Sequence, residues 1–283
     1  MASVSSDFSG DEQSKPAPLV MRIRWVVIAA IAVSVALTLF CQPSSFWTDS
    51  KTAMRGDGLP IDATTNHTFD FFLGSGALPY LAANACYMAL AFFLVSRLPR
   101  TIALIVSLSL IFAHGYGATH WLSTGFHLGV GPSPALWGVV FGVLLSYCVL
   151  PTSDDSRFVV NRWRWLVVAT LFVDFANTLM GQPPAYWTDH AMMHEGNSLV
   201  RVFLGRGWPA YFALDLAIAA GEFALITVMP VPVAFVCAFA FTFGNFAGAT
   251  NWFFYTWRLG WIVPVAYGAV LSTLMVMLGL RKR

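Results

Sequence analysis

The apolar residues of this chain come in runs of membrane-spanning length, and no other feature restricts its fold as much. A helix that crosses the hydrocarbon layer needs about 20 mostly apolar residues. Eight stretches come close, approximately 24–41, 76–96, 101–121, 133–151, 164–181, 208–229, 231–252 and 261–280. Lipid offers no partners to backbone polar groups, so such runs read as helices that bond internally. The chain is 57% hydrophobic and only 11% charged, against about 25% charge in a soluble domain. The expected fold class is an all-α integral membrane protein, with the lipid bilayer as its first partner. The formal net charge is +2 and the basic residues lie scattered at segment ends, so no nucleic-acid partner is expected. Cys41, Cys86, Cys148 and Cys237 fall in or beside apolar segments without paired spacing and read as small apolar residues.

A phrase recurs. "TLFCQPSSFWTDS" begins at Thr38 and "TLMGQPPAYWTDH" at Thr178, 140 positions later. At an offset of 131, "FFLGSGALPYLA" lies on "VFLGRGWPAYFA", Pro99 on Pro230, "FAHGYGATHW" on "FGNFAGATNW" and Asn66 on Asn197. The change of offset places nine extra residues in the first loop, within "KTAMRGDGLPIDA", since loops accept insertions at least cost. The chain therefore reads as two tandem four-helix repeats, 21–151 and 164–283, with a flexible tail at 1–20 and a linker at 152–163. An even number of spans per copy makes the copies parallel, related by a pseudo-twofold axis along the membrane normal.

Orientation follows from the basic residues. With the amino terminus inside, the inner side holds Lys15, Arg22, Arg24, Arg97, Arg100, Arg157, Arg162, Arg164, Arg281, Lys282 and Arg283, eleven of sixteen. Both termini are then cytoplasmic, in a plasma (inner) membrane. Trp47, Trp121, Trp187, Trp208, Trp252, Trp257 and Trp261 gather at the outer boundary, where an indole buries its ring and keeps its N–H wet.

Ionisable groups inside spans are costly and mark function by default. The second half carries Asp174 and Asn177, Asp215 and Glu222, then Asn245 and Asn251. The matching first-half positions read Ser34 and Leu37, Asn84 and Ala91, His114 and His120. By helical rise most of this polar matter sits toward the outer side. Candidate catalytic residues are Asp174, Asp215 and Glu195. Candidate ligand-binding residues are Asn197, Asn245, Asn251, His114 and His120, with Trp47, Asp49, Trp187 and Asp189 lining a paired outer entrance. For the last four, a helix-ending Gln-Pro and an interfacial tryptophan are an equally good structural account. If 189–195 is helical, His190 and His194 share a face and, with Asp189 or Glu195, offer a metal the mixed nitrogen and oxygen ligands that suit zinc or iron.

No cofactor is named by these residues. Haem would need paired histidines at matching depth, and His114 and His120 lie about 120° apart around a regular helix. P-loop, dinucleotide, nucleophile-elbow and zinc-protease signatures are absent from the sequence. Spacings such as Gly244 to Gly248 fit close helix packing. The segment "DFANTLMGQPPAYWTDHAMMHEGNSLVRVFLGRGW" is similar to small uncharacterised membrane proteins that carry Asp, Thr and a Glu-x-Asn-Pro after their first span. Ser198 stands in place of that proline, and the resemblance implies no activity. Three functions remain: a polar ligand or substrate site on the extracytoplasmic side, enzymatic or ligand-binding; a structural or assembly subunit among other membrane subunits; and a small-molecule transporter.

Overall fold

The computed structural model describes residues 18–55, 58, 60–61, 68–149, 155–255, 257, 259–260 and 262–280. Tail residues 1–17, Asn66 and its match to Asn197, linker residues 151–154, Arg258, Trp261 and the last three basic residues lie outside them. The long helices are α1 (Pro18–Phe40), α3 (Ala77–Arg97), α4 (Arg100–Thr124), α5 (Pro132–Val149), α6 (Asp155–Met180), α8 (Trp208–Val228), α9 (Val231–Tyr255) and α10 (Ile262–Met275), the last running on as a π-helical turn, Val276–Leu280. Two short helices, α2 (Thr68–Gly74) and α7 (Ser198–Leu204), precede α3 and α8.

The protein is an all-helical polytopic membrane protein. Seven helices are long and apolar enough to cross a bilayer: α1, α3, α4, α5, α8, α9 and α10. Helix α6 is not among them, because Arg164, Asp174 and Asn177 interrupt its apolar run. It is nonetheless 26 residues long and packs along α8 and α9. Its start at Asp155 places most of the expected 152–163 linker in helix. Hydropathy missed this first turn because Arg157 and Arg162 break the run, whereas Val159, Val160 and Trp163 are buried on one side of it.

Consecutive long helices run antiparallel, by short connections for most pairs and, for the two pairs joined by long loops, by the contacts of Arg24 with Ser96 and of Arg164 with Thr227. One end of the bundle therefore gathers the ends of α1, α4, α6 and α9; we call it the loop end, and residues 18 and 280 lie at the other. Helix α1 packs on α3 and α4, and α6 on α8 and α9. The fourth long helix of each half crosses over, α5 packing on α9 and α10 on α4. A Cβ at Gly138 would come within 2.7 Å of the Ala240 Cα, so its absence is what lets α5 and α9 approach. Lipid tails are as apolar as leucine, and association rests on such close fit. The centre is an aromatic slab in which Phe112 meets Phe239, Phe243 and Phe246 at centroid distances of 5.6, 5.7 and 4.9 Å.

At the terminal end each half carries the same clasp. Arg24 donates to the Ser96 hydroxyl at 3.0 Å and lies 4.1 Å over the Phe92 ring. Arg164 donates to the Thr227 hydroxyl at 3.0 Å and lies 4.4 Å over Phe223. Each clasp ties the first long helix of its half to the second.

Candidate functional site

The recurring Gln-Pro phrase is a corner held by one amide side chain. Helix α6 stops at Met180, and proline at 183 and 184 keeps the chain from continuing as helix. Gln182, 6% exposed, turns back on the loop. Its Nε2 donates to the Thr178 carbonyl at 2.9 Å and to the His194 carbonyl at 2.9 Å, while its Oε1 accepts from the His194 N–H at 2.8 Å. Gln42 does the same in the first half, donating to the carbonyls of Thr38 and Met54 and accepting from the Met54 N–H at 2.8 Å. The spacing from glutamine to clamped residue is identical in the two corners, so the extra first-loop residues lie beyond Met54.

The Trp-Thr-Asp part of the phrase is structural too. Asp189 caps the 3-10 turn His190–Met192 by accepting from the Ala191 N–H at 3.0 Å, and Asp49 caps Ser50–Thr52 through the Lys51 N–H at 3.0 Å. Trp47 and Trp187 are exposed, each edge-on to the preceding ring of Phe46 or Tyr186. The expected paired entrance is replaced by two capped corners with outward tryptophans.

With the corner set, the second half encloses a cavity of about 700 Å³. Asp174 from α6, Asp215 and Tyr211 from α8, and Asn245 and Asn251 from α9 line it. His194, Glu195 and Asn197 line it from the clamped loop, opposite Val130 and Gly131 of the first half. Asn197 is fixed as the α7 cap, its Oδ1 accepting from the Leu199 and Val200 N–H groups. Glu195 Oε1 accepts from the Asn197 N–H at 2.7 Å. Asn251 Oδ1 accepts from the Tyr116 hydroxyl at 3.0 Å, joining α9 to α4. Asn245 Nδ2 is shared between the Val167 carbonyl and the Thr170 hydroxyl, both at 3.3 Å.

The carboxyls are less satisfied than the amides. Asp215 is 3% exposed and its Oδ2 has no hydrogen-bond partner, nor does Asp174 Oδ1. The Asp174 carboxyl lies against Gly248, where an added Cβ would sit 2.6 Å from Oδ2. Gly248 is therefore a seat for a carboxyl. Gly244 faces open space on the cavity wall, so neither glycine of this pair serves the close helix packing expected of them. Burial raises the Glu195 carboxyl above its ordinary value, partly countered by the N–H groups of Gly196 and Asn197.

Several expected site residues stand apart. His114 Nε2 lies 3.4 Å from the Tyr87 hydroxyl, and His120 packs edge-on to Tyr116; neither lines the cavity. His190 packs on the Tyr186 ring and on Gly207, whose φ of +101° also calls for glycine at the entry to α8. The helix that would align His190 with His194 does not form, because Asp189 caps a turn that ends at Met192. Among the described residues no group of three or more His, Cys, Asp or Glu side chains is placed to hold a metal. His190 and His194 therefore do not share a helical face.

Sequence reasoning overlooked Tyr211, Thr178, Trp252 and the first-half loop at Val130–Gly131, all of which line the cavity. Tyr211 precedes Asp215 by one helical turn, a spacing that points it at the same face, and Trp252 adjoins Asn251. Trp252 rests on Gly181, where a Cβ would fall 2.2 Å from its ring. In the first half Cys41 takes the place of Gly181 and fills the space itself, against Gly125. No protein-family model matches the chain, and comparison with curated proteins and with solved structures likewise gave no match.

Proposed function

We propose that the chain is a duplicated four-helix membrane unit whose second copy carries a small-molecule site on the extracytoplasmic side of a plasma (inner) membrane. In this reading α6 is the eighth span, the copies are 21–151 and 164–283, and a pseudo-twofold axis runs along the membrane normal. The matching Gln42 and Gln182 corners and the Arg24 and Arg164 clasps support it. Both termini are cytoplasmic by the distribution of basic residues, which puts the loop end and the cavity outside. Asp174, Asp215 and Glu195 carry ligand binding or any turnover, with Asn197, Asn245 and Asn251 around them.

One observation carries the functional part. Asn84, at the position matching Asp215, donates its amide to the Tyr80 carbonyl one turn back at 2.9 Å. That is all a structural residue needs to do there. Asp215 gives up that bond, leaves Oδ2 unpaired and faces a cavity instead. Burying a carboxyl without a partner costs free energy, and a ligand that supplies the partner accounts for its presence where a purely structural subunit does not.

The test is a thermal-shift screen of the detergent-solubilised protein against small amines, polyols, sugars and carboxylates. At least one class raises the melting temperature of the wild type, and the gain disappears in Asp174→Asn and Asp215→Asn but persists in Asn84→Ala. A screen that leaves the wild type unmoved, or a gain that survives both acid-to-amide changes, overturns the site. Orientation is checked separately with single cysteines: positions 50–62 and 190–200 react with an impermeant reagent on intact cells and 153–160 do not.

A further inference from the structure

Asp174 shares its cavity with Asp215 and Glu195, both of its own sign. Arg201 and Arg206, which follow Glu195 in the chain, are exposed and outside the cavity lining. A buried carboxylate requires a proton or a cation, and among the described residues no lysine or arginine lines the cavity, whose one imidazole is that of His194. Nor do the amides supply a charge: Asn197, Asn245 and Asn251 are neutral, and Asn245 spends its N–H on α6.

Leu171, Ile218, Pro134 and Trp252 give the cavity apolar and aromatic wall beside the polar Thr178, Tyr211 and His194. A space of about 700 Å³ is far larger than an ion and within the range of small organic ligands. The absence of a three-ligand metal cluster among the described residues also speaks against a bare divalent ion. Resting on the ligand-site reading above, we propose that the cavity takes a small organic cation, its ammonium group between Asp174 and Asp215 and its hydrocarbon part against Leu171, Ile218 and Trp252. The tryptophan ring adds a face that attracts positive charge. Glu195, on the loop side, adds negative potential at the end by which a cation enters.

Butylammonium, butanol and butyrate share a short hydrocarbon tail and differ in head charge at neutral pH, which isolates the claim. Binding to the solubilised wild type is read by saturation-transfer NMR and by melting temperature. Butylammonium binds and the other two do not. Asp215→Asn weakens it by about thirtyfold or more, as expected when one partner of a buried charged pair is removed, and Asn84→Ala leaves it unchanged. Binding of butanol or butyrate as tight as that of the amine overturns the proposal, as does amine binding untouched by Asp174→Asn and Asp215→Asn. If the amine fails while another class in the broader screen binds through the same acids, the cation falls and the ligand site stands; if every class fails, both fall. The head-group comparison on the wild type needs no variant, so a variant that does not fold leaves the proposal exposed to refutation.

Discussion

The two halves of the protein share their corners and differ in what the corners enclose. Gln42 clamps Met54 and Gln182 clamps His194 with the same pair of backbone bonds. Ser34 faces Gly117 as Asp174 faces Gly248, but its hydroxyl stands 3.8 Å from where a Cβ would be, against 2.6 Å for the carboxyl. Asn84 is satisfied by its own helix and Asp215 is not. The residue after the clamp is Arg55 in one half and Glu195 in the other. What is held in common is local backbone closure; what differs is charge on the inward surface.

The largest effects test the common part. Gln42→Ala and Gln182→Ala each leave a backbone N–H and two carbonyls without their side-chain partner and are expected to destabilise by about 2–4 kcal/mol, read by thermal unfolding in detergent. The two losses should be alike, whereas ligand binding should fail only with Gln182→Ala, because that clamp positions Glu195 and Asn197. Unequal stability losses would break the comparison at its root. Next, Gly248→Ala forces the Asp174 carboxyl aside and should cost about 1–3 kcal/mol. Gly117→Ala meets only ordinary contact at 3.8 Å and should be neutral or slightly stabilising, since alanine favours helix by up to about 1 kcal/mol.

A smaller effect of opposite sign is expected at Asp215. Asp215→Asn restores a donor that can reach the Tyr211 carbonyl as Asn84 reaches Tyr80, and should raise stability by about 1 kcal/mol while removing ligand binding. A fall in melting temperature would mean that the carboxyl is structural after all. The smallest effect concerns Glu195, whose carboxyl burial raises. The folded protein then keeps this proton at pH values where the unfolded chain has released it. Its stabilising contribution is complete below the ordinary glutamate value and is lost as pH rises through the raised folded value. Glu195→Gln should remove this part of the pH slope, measured as melting temperature across the mildly acidic range.

Much of this was legible before the structure. Apolar runs located seven spans to within a few residues at most ends, and of the polar residues of the second half Asp174, Asp215, Asn245 and Asn251 line one cavity from neighbouring helices while Asn177 and Glu222 do not. The long helix α6 was legible only from Arg164 onward, since hydropathy does not register a helix whose exposed side is basic. The glutamine clamp was invisible: a side chain bonding a backbone twelve residues away leaves no periodic trace. His190 and His194 misled because i, i+4 spacing implies a shared face only in an α-helix, and Asp189 dictates a 3-10 turn. His114 and His120 misled because a polar residue in a span is drawn to any partner, and Tyr87 and Tyr116 were near.

The crossing of α5 onto α9 and of α10 onto α4 also bears on biogenesis. When α5 leaves the ribosome its principal partner has not been made, and α6, α7 and α8 must be synthesised before α9 arrives. The first four long helices therefore wait in the membrane as an incomplete assembly, with the small-residue face at Gly138 and Gly142 turned to lipid or to an insertion factor. Chains cut between the halves should be able to find each other when synthesised together, because the missing contacts lie between the fragments and not within them. Either half alone should be a target for quality-control proteolysis, and the second would lack the wall that Val130 and Gly131 give its cavity.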